Sequence, residues 1–334
     1  MTRPKLDPAG PFSRIPLAPH SMRERFTPTR DVLVLCHLGV PHLDREQWSF
    51  EIDGLVERPM RLKFSDLTAY RRATIATFHQ CSGNPLKPFE PTRRIANVSW
   101  TGARLAEVLR DCQPKQEAKF LWSYGADHGE LGGTEHPAYV KDLPLERVQS
   151  DVLLAYELNG APLPPEHGFP VRLVVPGFYG TNSVKWLTRI TAADSRATGA
   201  FTTRWYNDPV LDADGRDSGT NVPVWSVAPE SVIVSPAPAQ SLERGVPVEI
   251  WGWAWADSGI AAVNVSIDAG ATWLEAKVEP RVERSWQRFT LRWSPADPGP
   301  YILCSAATSH DGATQPDHGH RNAIHRVEVR VDGH

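Results

Sequence analysis

Over much of the chain, apolar residues recur at every second position in short runs, a pattern that predicts strands with one buried face. Trp48-Ser49-Phe50-Glu51-Ile52 alternates and then meets Asp53-Gly54, a strand running into a turn. Residues 171–176 form a short, nearly continuous apolar run and residues 183–190 alternate, so both predict strands. Helical spacing is rarer. Leu105, Val108 and Leu109 share one helical face, and Ser65 offers an N-cap to a short helix over 65–70. Short helices mixed with strands, without regular β-α-β alternation, predict an α+β domain.

The texture changes past residue 205. Residues 206–224 are rich in Asp, Gly, Asn and Pro without periodicity and predict a linker. Beyond them, strand-like runs at 246–255, 262–267, 273–278, 286–293, 301–308 and 324–331 are separated by turns. Short strands at such spacing over about 100 residues predict an immunoglobulin-like sandwich, in architecture only, since the Cys…Trp…Cys pattern is missing. Trp251, Trp253 and Trp255 lie on one face of a strand and fit a core or an interface better than a cofactor site. The organisation expected is an extended N-terminal arm over 1–30, a first domain over 31–205, the linker over 206–224 and an all-β domain over 225–334.

Composition narrows the picture. The 334 residues are 41% hydrophobic and 22% charged, a length suited to two domains. Thirty prolines favour loops and short strands over long helices. A net charge of −3 and a pI near 6.5 lack the basic footprint of a nucleic-acid partner. No apolar run approaches the roughly 20 residues that span a bilayer, so no membrane partner is expected. The N-terminal stretch shows neither an apolar signal region nor a twin-arginine motif, and the expected location is cytoplasmic, or periplasmic if a leader was removed. Four cysteines (Cys36, Cys81, Cys112, Cys304) lie far apart with no CxxC pair, which argues against structural zinc and thioredoxin-type chemistry.

Nucleotide-binding glycine loops, His-Glu-x-x-His, Gly-x-Ser-x-Gly and Cys-x-x-Cys-His are all absent from the sequence. What remains is Cys81 in the polar stretch Gln80-Cys81-Ser82-Gly83-Asn84, with histidines and basic residues near Gly/Pro loops. Most free cysteines act as small buried hydrophobes. Arg172 and Lys185 alternate with apolar residues, a pattern that solvent-facing positions satisfy equally. His37 and His167 suit a satisfied core histidine and a turn, and Asp127 suits an ordinary loop acid.

The wider sequence context adds a reading. His167-Gly168-Phe169-Pro170-Val171-Arg172-Leu173-Val174-Val175-Pro176-Gly177, followed by Ser183-Val184-Lys185-Trp186-Leu187, resembles the core signature of the sulfite oxidase family of molybdenum enzymes. Residues 153–164 resemble the segment leading into it. Gln80-Cys81-Ser82-Gly83-Asn84 is similar to the family's Cys-Ala-Gly-Asn motif, and His37-Leu38-Gly39-Val40-Pro41 to its His-Leu-Pro-Val-Pro. Ser266-Ile267-Asp268-Ala269-Gly270-Ala271-Thr272-Trp273 is similar to a hairpin of its C-terminal dimerisation domain. The matches run in order over residues 33–331.

The resemblance implies one molybdenum-molybdopterin cofactor per chain, its metal held by the Cys81 thiolate, a soft ligand suited to a redox ion. It implies that Arg172 and Lys185 meet the pterin's terminal phosphate, and that His37, Asp127, His167 and Ser183 hydrogen-bond the pterin. The implied activity is oxygen-atom transfer to or from a small-molecule oxo-acceptor or oxo-donor. A separate electron-transfer partner and a homodimer follow from the same resemblance. The other function the sequence allows is a non-catalytic member that uses the fold for binding or dimerisation.

The substrate side departs from the family. The arginine and asparagine before the family's histidine fall on Leu35 and Cys36, and the two arginines after its Cys motif fall on Pro85 and Leu86. The loop from Cys81 to Trp100 is shorter than in typical sulfite oxidases. Pro209 in Trp205-Tyr206-Asn207-Asp208-Pro209 replaces the substrate-side tyrosine. Sulfite, a small dianion, is therefore not the expected substrate. With Leu35, Leu86 and Phe89 the mouth reads as apolar and suited to a neutral or larger molecule, unless Arg93 and Arg94 return charge to it.

Overall fold

The computed structural model describes residues 3–14, 16–83, 93–148, 151–212 and 216–333. They fall into two compact units that interleave along the chain. Unit 1 takes the described residues of Met1–Ile15, Val34–Ile75 and Ser99–Trp225; unit 2 takes those of Pro16–Leu33, Ala76–Val98 and Ser226–His334. Among the described residues α-helix is limited to three short segments, beside five single 3-10 turns, so these residues are mostly β where they are regular.

Unit 1 contains a five-stranded sheet in the order Val140–Pro144, Phe120–Gly125, Leu187–Ala193, Ser49–Gly54, Met60–Lys63. Its pairs are antiparallel except Leu187–Ala193 with Ser49–Gly54, which run parallel. Alternation does what the pattern predicts: Phe50 and Ile52 point into the core and Ser49, Glu51 and Asp53 away from it. Leu105–Cys112 is the expected amphipathic helix, burying Leu105, Val108, Leu109 and Cys112. The other predicted helix forms as Phe64–Ala69, capped at Lys63, two positions before the Ser65 cap signal. Asp66, not Ser65, accepts the free backbone N–H of Lys63 at 2.8 Å. A second sheet carries Leu153–Leu158, with Arg172–Val174 paired along it. The strand expected over 183–190 begins only at Leu187, because Trp186 turns the backbone to φ +50°.

Two predicted irregular segments are structured. Leu6–Ala9 and Phe12–Arg14 of the expected arm pair with Gly39–Pro41 and Val34–Cys36. The stretch read as a linker contains an antiparallel hairpin, Asn207–Leu211 with Asp217–Pro223. Its exposed polar residues carry no apolar alternation, which is why the pattern missed it.

Unit 2 holds a four-stranded sheet, in the order Glu230–Ser235, Val248–Trp255, Gln287–Trp293, Lys277–Val278. Its five-stranded partner runs Ser241–Leu242, Arg326–Val331, Gly299–Ser309, Ile260–Ser266, Leu274–Glu275. Ile233, Ile250, Ala254 and Phe289 from the first sheet share one core with Val263, Leu303 and Val327 from the second. The opposite face of Val248–Trp255 is the tryptophan face, and earlier segments of the chain meet it. Trp253 donates to the Met22 carbonyl at 2.6 Å and stacks on Trp286, while Trp255 donates to Gln80 at 2.8 Å. Burying these large aromatics recruits 16–33 and 76–98 into unit 2.

Gly252 lies where two strands and a ring crowd together. A Cβ there would stand 1.9 Å from the Val232 carbonyl oxygen and 2.8 Å from the Phe289 ring. Gly252→Ala should therefore destabilise unit 2 by about 1–3 kcal/mol or more, since a backbone contact cannot move aside as a side chain can. Chemical denaturation followed by tryptophan fluorescence checks this, and an unchanged midpoint would refute it.

Candidate functional site

Six of the seven residues singled out from the sequence lie in unit 1, and the backbone gathers them. Pro165–His167 forms a single tight turn closed by Gly168 at φ +105°. A Cβ built on Gly168 would stand 3.0 Å from the Cβ of Arg172 and 3.1 Å from that of Lys185, so the three segments converge there. The Arg172 guanidinium donates to the His167 carbonyl at 3.0 Å and the Ser183 carbonyl at 2.9 Å, and sits 4.8 Å over the Trp100 ring. Lys185 Nζ donates to the carbonyls of Leu35 at 3.0 Å and Glu166 at 3.1 Å, and to Cys36 Sγ at 2.9 Å. Ser183 Oγ accepts the Val175 N–H at 3.0 Å. Arg172 is buried and Lys185 half-buried rather than solvent-facing, the arrangement the alternating pattern had left open.

Neither cation forms an ion pair among the described residues; carbonyl dipoles and a thiol hold them instead. Taking a charge out of water without a counter-charge disfavours it. Burial accordingly pulls Arg172 down to about 9 and also lowers Lys185. Burial, reinforced by Arg172, Lys185 and Arg14, pulls His167 down to about 3, so its ring is neutral. Its Nε2 is buried without a hydrogen-bond partner among the described residues. Burial, then Lys185, lowers His37 to about 4, and its Nε2 is hydrogen-bonded to the Tyr206 hydroxyl. Asp127 is pushed up to about 7 by burial, with Lys185 acting against that shift. Two cations and an orphaned ring nitrogen suit an anionic, hydrogen-bonding ligand. Trp100, Cys36 and Tyr206 also line this arrangement. Tyr206, which the sequence offered only as part of the Trp205–Pro209 segment, holds φ +60°, uncommon for a large residue.

Cys81, the seventh residue, belongs to unit 2. It follows the strand Arg72–Gln80, and its N–H donates to the Arg94 carbonyl at 2.9 Å. The Gly83 N–H reaches back to Cys81 Sγ at 3.4 Å. The half-buried thiol is raised by burial, and the Gly83 N–H, Arg94 and Arg321 draw it back. The preceding side chain is pinned at both ends: Gln80 Nε2 donates to Glu230 Oε2 at 2.6 Å, and Gln80 Oε1 accepts from Trp255 at 2.8 Å. Glu230 in turn faces Arg93 at 3.5 Å, both side chains being fully buried. Arg93 is thus committed to Glu230, and of the two arginines considered for the mouth only Arg94 lies beside the cysteine. Asn84, Pro85, Leu86 and Phe89 lie outside the described residues. Among the described residues, no group of three or more His, Cys, Asp or Glu side chains is placed to hold a metal. No helix among them is long and apolar enough to cross a membrane.

Residues 37–201 match the family model of the oxidoreductase molybdopterin binding domain, and residues 222–296 that of the Mo-co oxidoreductase dimerisation domain. The chain is similar to the mitochondrial sulfite oxidase of Rattus norvegicus, 32% identical over 96% of this chain and 64% of that protein. It thus spans less than two thirds of that relative's length. It is 30% identical to the sulfite oxidase of Gallus gallus over 92% of this chain and 72% of that one. It is 31% identical to the nitrate reductase [NAD(P)H] of Hordeum vulgare over 80% of this chain and 33% of that one. Among solved structures it is similar to the sulfane dehydrogenase SoxCD from Paracoccus pantotrophus, with a TM-score of 0.80 and 30% identity. That match covers 92% of this chain and 82% of that one.

The buried charges make two measurable differences. Removing one partner of a fully buried ion pair leaves the other uncompensated, so Glu230→Gln should cost roughly 3–5 kcal/mol, and adding Arg93→Met should return most of it. Denaturation of both variants tests this; equal losses would refute the pairing. Asp127 titrates near 3.8 when unfolded and about 7 when folded. The native chain holds the extra proton between those values, so stability falls as pH rises through that window. Relative to the non-titrating Asp127→Asn, the cofactor-free wild type should lose stability from about pH 4 to 7 and then hold a constant gap. Denaturation midpoints across that range decide it, a flat difference being the contrary outcome.

Proposed function

The chain belongs to the sulfite oxidase family of molybdopterin oxidoreductases, and we propose from that premise that it catalyses oxygen-atom transfer coupled to two-electron redox chemistry. The observation that carries the cofactor side is the pair of buried Arg172 and half-buried Lys185, with no ion-pair partner among the described residues, beside the orphaned Nε2 of His167. Such a set costs stability in the empty protein and is useful only to a ligand bearing negative charge. The phosphate of a molybdenum-molybdopterin cofactor, one per chain, meets that description. When bound, the cofactor supplies the oxo-transfer chemistry.

The chain's own residues divide the remaining work. Arg172 and Lys185 take the terminal phosphate. His167 and His37, both neutral at physiological pH, offer ring nitrogens to the pterin without adding charge. Ser183 and Asp127 complete its hydrogen bonds, and Lys185 counters the Asp127 carboxylate. Cys81 is the metal's protein ligand, its backbone fixed by the Arg94 carbonyl and its neighbour Gln80 anchored at both ends. A solely binding or dimerising role has no comparable support.

Sulfite is not the physiological substrate in this reading, because family arginine positions carry Leu35, Pro85 and Leu86 and the substrate-side tyrosine position carries Pro209. A charge-assisted hydrogen bond is worth roughly 1.5–3 kcal/mol, so a site that forgoes several of them binds sulfite more weakly by orders of magnitude. The two sheets of unit 2 form an immunoglobulin-like sandwich through which the chain dimerises, and electrons leave to a separate protein.

The protein purified from a cofactor-competent host should contain about one molybdenum per chain, and Cys81→Ser should abolish oxo-transfer with an artificial electron carrier. Retention of full activity by Cys81→Ser would remove the ligand assignment. Saturable sulfite oxidation at micromolar KM would overturn the substrate statement alone.

A further inference from the structure

The half-buried His37 ring has one nitrogen engaged and one open. Its Nε2 is hydrogen-bonded to the Tyr206 hydroxyl, and its Nδ1 makes no hydrogen bond among the described residues. In a neutral imidazole, the bond made by one nitrogen decides which of the two carries the proton. A phenol hydroxyl donates more strongly than it accepts, and a bare imidazole nitrogen is the better acceptor of the two partners. The hydroxyl therefore donates to Nε2, and the ring hydrogen resides on Nδ1.

The surroundings hold both rings in place. His37 follows the strand Val34–Cys36, and its ring lies parallel to that of Tyr139, at 6° and 6.5 Å between centroids, with the Phe201 ring at 6.0 Å. Tyr139 is itself fixed, its hydroxyl donating to the Thr181 carbonyl at 2.9 Å. The Tyr206 backbone is tied down where its carbonyl accepts the Val224 N–H at 3.0 Å. Buried Lys141 donates to the Phe201 carbonyl at 3.0 Å, and its Nζ stands 5.4 Å from the centroid of the Tyr206 ring. Burial lowers Lys141 to about 8, which leaves the amine charged at neutral pH. A cation on the ring face draws electron density from the phenol and sharpens its hydroxyl as a donor.

We propose that Tyr206 is a positioning residue for the cofactor: it holds His37 in the Nδ1–H form, so that His37 meets the pterin as a hydrogen-bond donor. A donor at this place selects a carbonyl oxygen or a bare ring nitrogen of the pterin, whereas the other tautomer would select a ring N–H or the amino group. Tyr206 thus fixes the orientation of the heterocycle without touching it. This inference rests on the reading of His37 as a pterin contact.

The test labels the histidine rings of the cofactor-free full chain with nitrogen-15, because a protonated and a bare imidazole nitrogen resonate far apart. His37→Ala identifies the His37 signal among the 12 histidines. Wild-type His37 should carry its hydrogen on Nδ1. Tyr206→Phe keeps the ring and removes only the hydroxyl, so His37 should move to the Nε2–H form or exchange between the two. The other histidine signals should stay in place, which a disturbed fold would not allow. In the molybdenum-loaded chain, metal loss on prolonged dialysis should be about three- to tenfold faster in Tyr206→Phe, the effect of one hydrogen bond. An Nε2–H signal for wild-type His37 overturns the proposal, as does a Tyr206→Phe spectrum that keeps the Nδ1–H form. A Tyr206→Phe chain that holds its metal while His37→Ala loses it overturns it equally. If the tautomer behaves as expected and both variants hold the metal as the wild type does, Tyr206 still sets the ring, and the reading of His37 as a pterin contact falls instead.

Discussion

Glu230 and Arg93 face each other with no contact to water, and the geometry around Cys81 depends on that pair. Desolvating two charges is expensive, and replacing such a pair by apolar side chains is often neutral or stabilising. Here one oxygen of the carboxylate faces Arg93 while the other fixes the Gln80 amide, whose carbonyl takes the Trp255 indole. The charge therefore orients a residue one peptide bond from the thiol. An apolar substitute would pack but could not hold an amide in one orientation.

Unit 1 meets the same constraint in another way. Arg172 and Lys185 have carbonyl dipoles where Glu230 would supply a full charge. Dipoles hold the cations in place without neutralising them, which leaves their charge available to a ligand. One unit uses a closed pair to set geometry and the other keeps open cations to receive a group. The difference lies in whether the buried charge is answered from within the chain.

Much of this was legible in the sequence, for identifiable reasons. Short strands announce themselves by alternation, as Phe50 and Ile52 do, and the helix at Leu105 by spacing. Cys81, His167, Arg172, Ser183 and Lys185 stood out because they sit in fixed local motifs. Glu230 did not, because it sits in no predicted strand or motif, and only its distant partners reveal it as buried. Arg93 and Arg94 were indistinguishable as adjacent basic residues, though backbone alternation sends them to different environments. Arg321 lies in a polar turn with no pattern at all. The recruitment of 16–33 and 76–98 into unit 2 depends on tryptophan contacts that no local window contains.

That interleaving sets an order of events during synthesis. Gln80 waits for Glu230, 150 residues downstream, and for Trp255, 175 residues downstream. Ser82 waits 239 residues for Arg321. Until those segments are made, the turn bearing Cys81 has only its local hydrogen bonds to Arg94 and Gly83, and the distant anchors are added one after another as elongation proceeds.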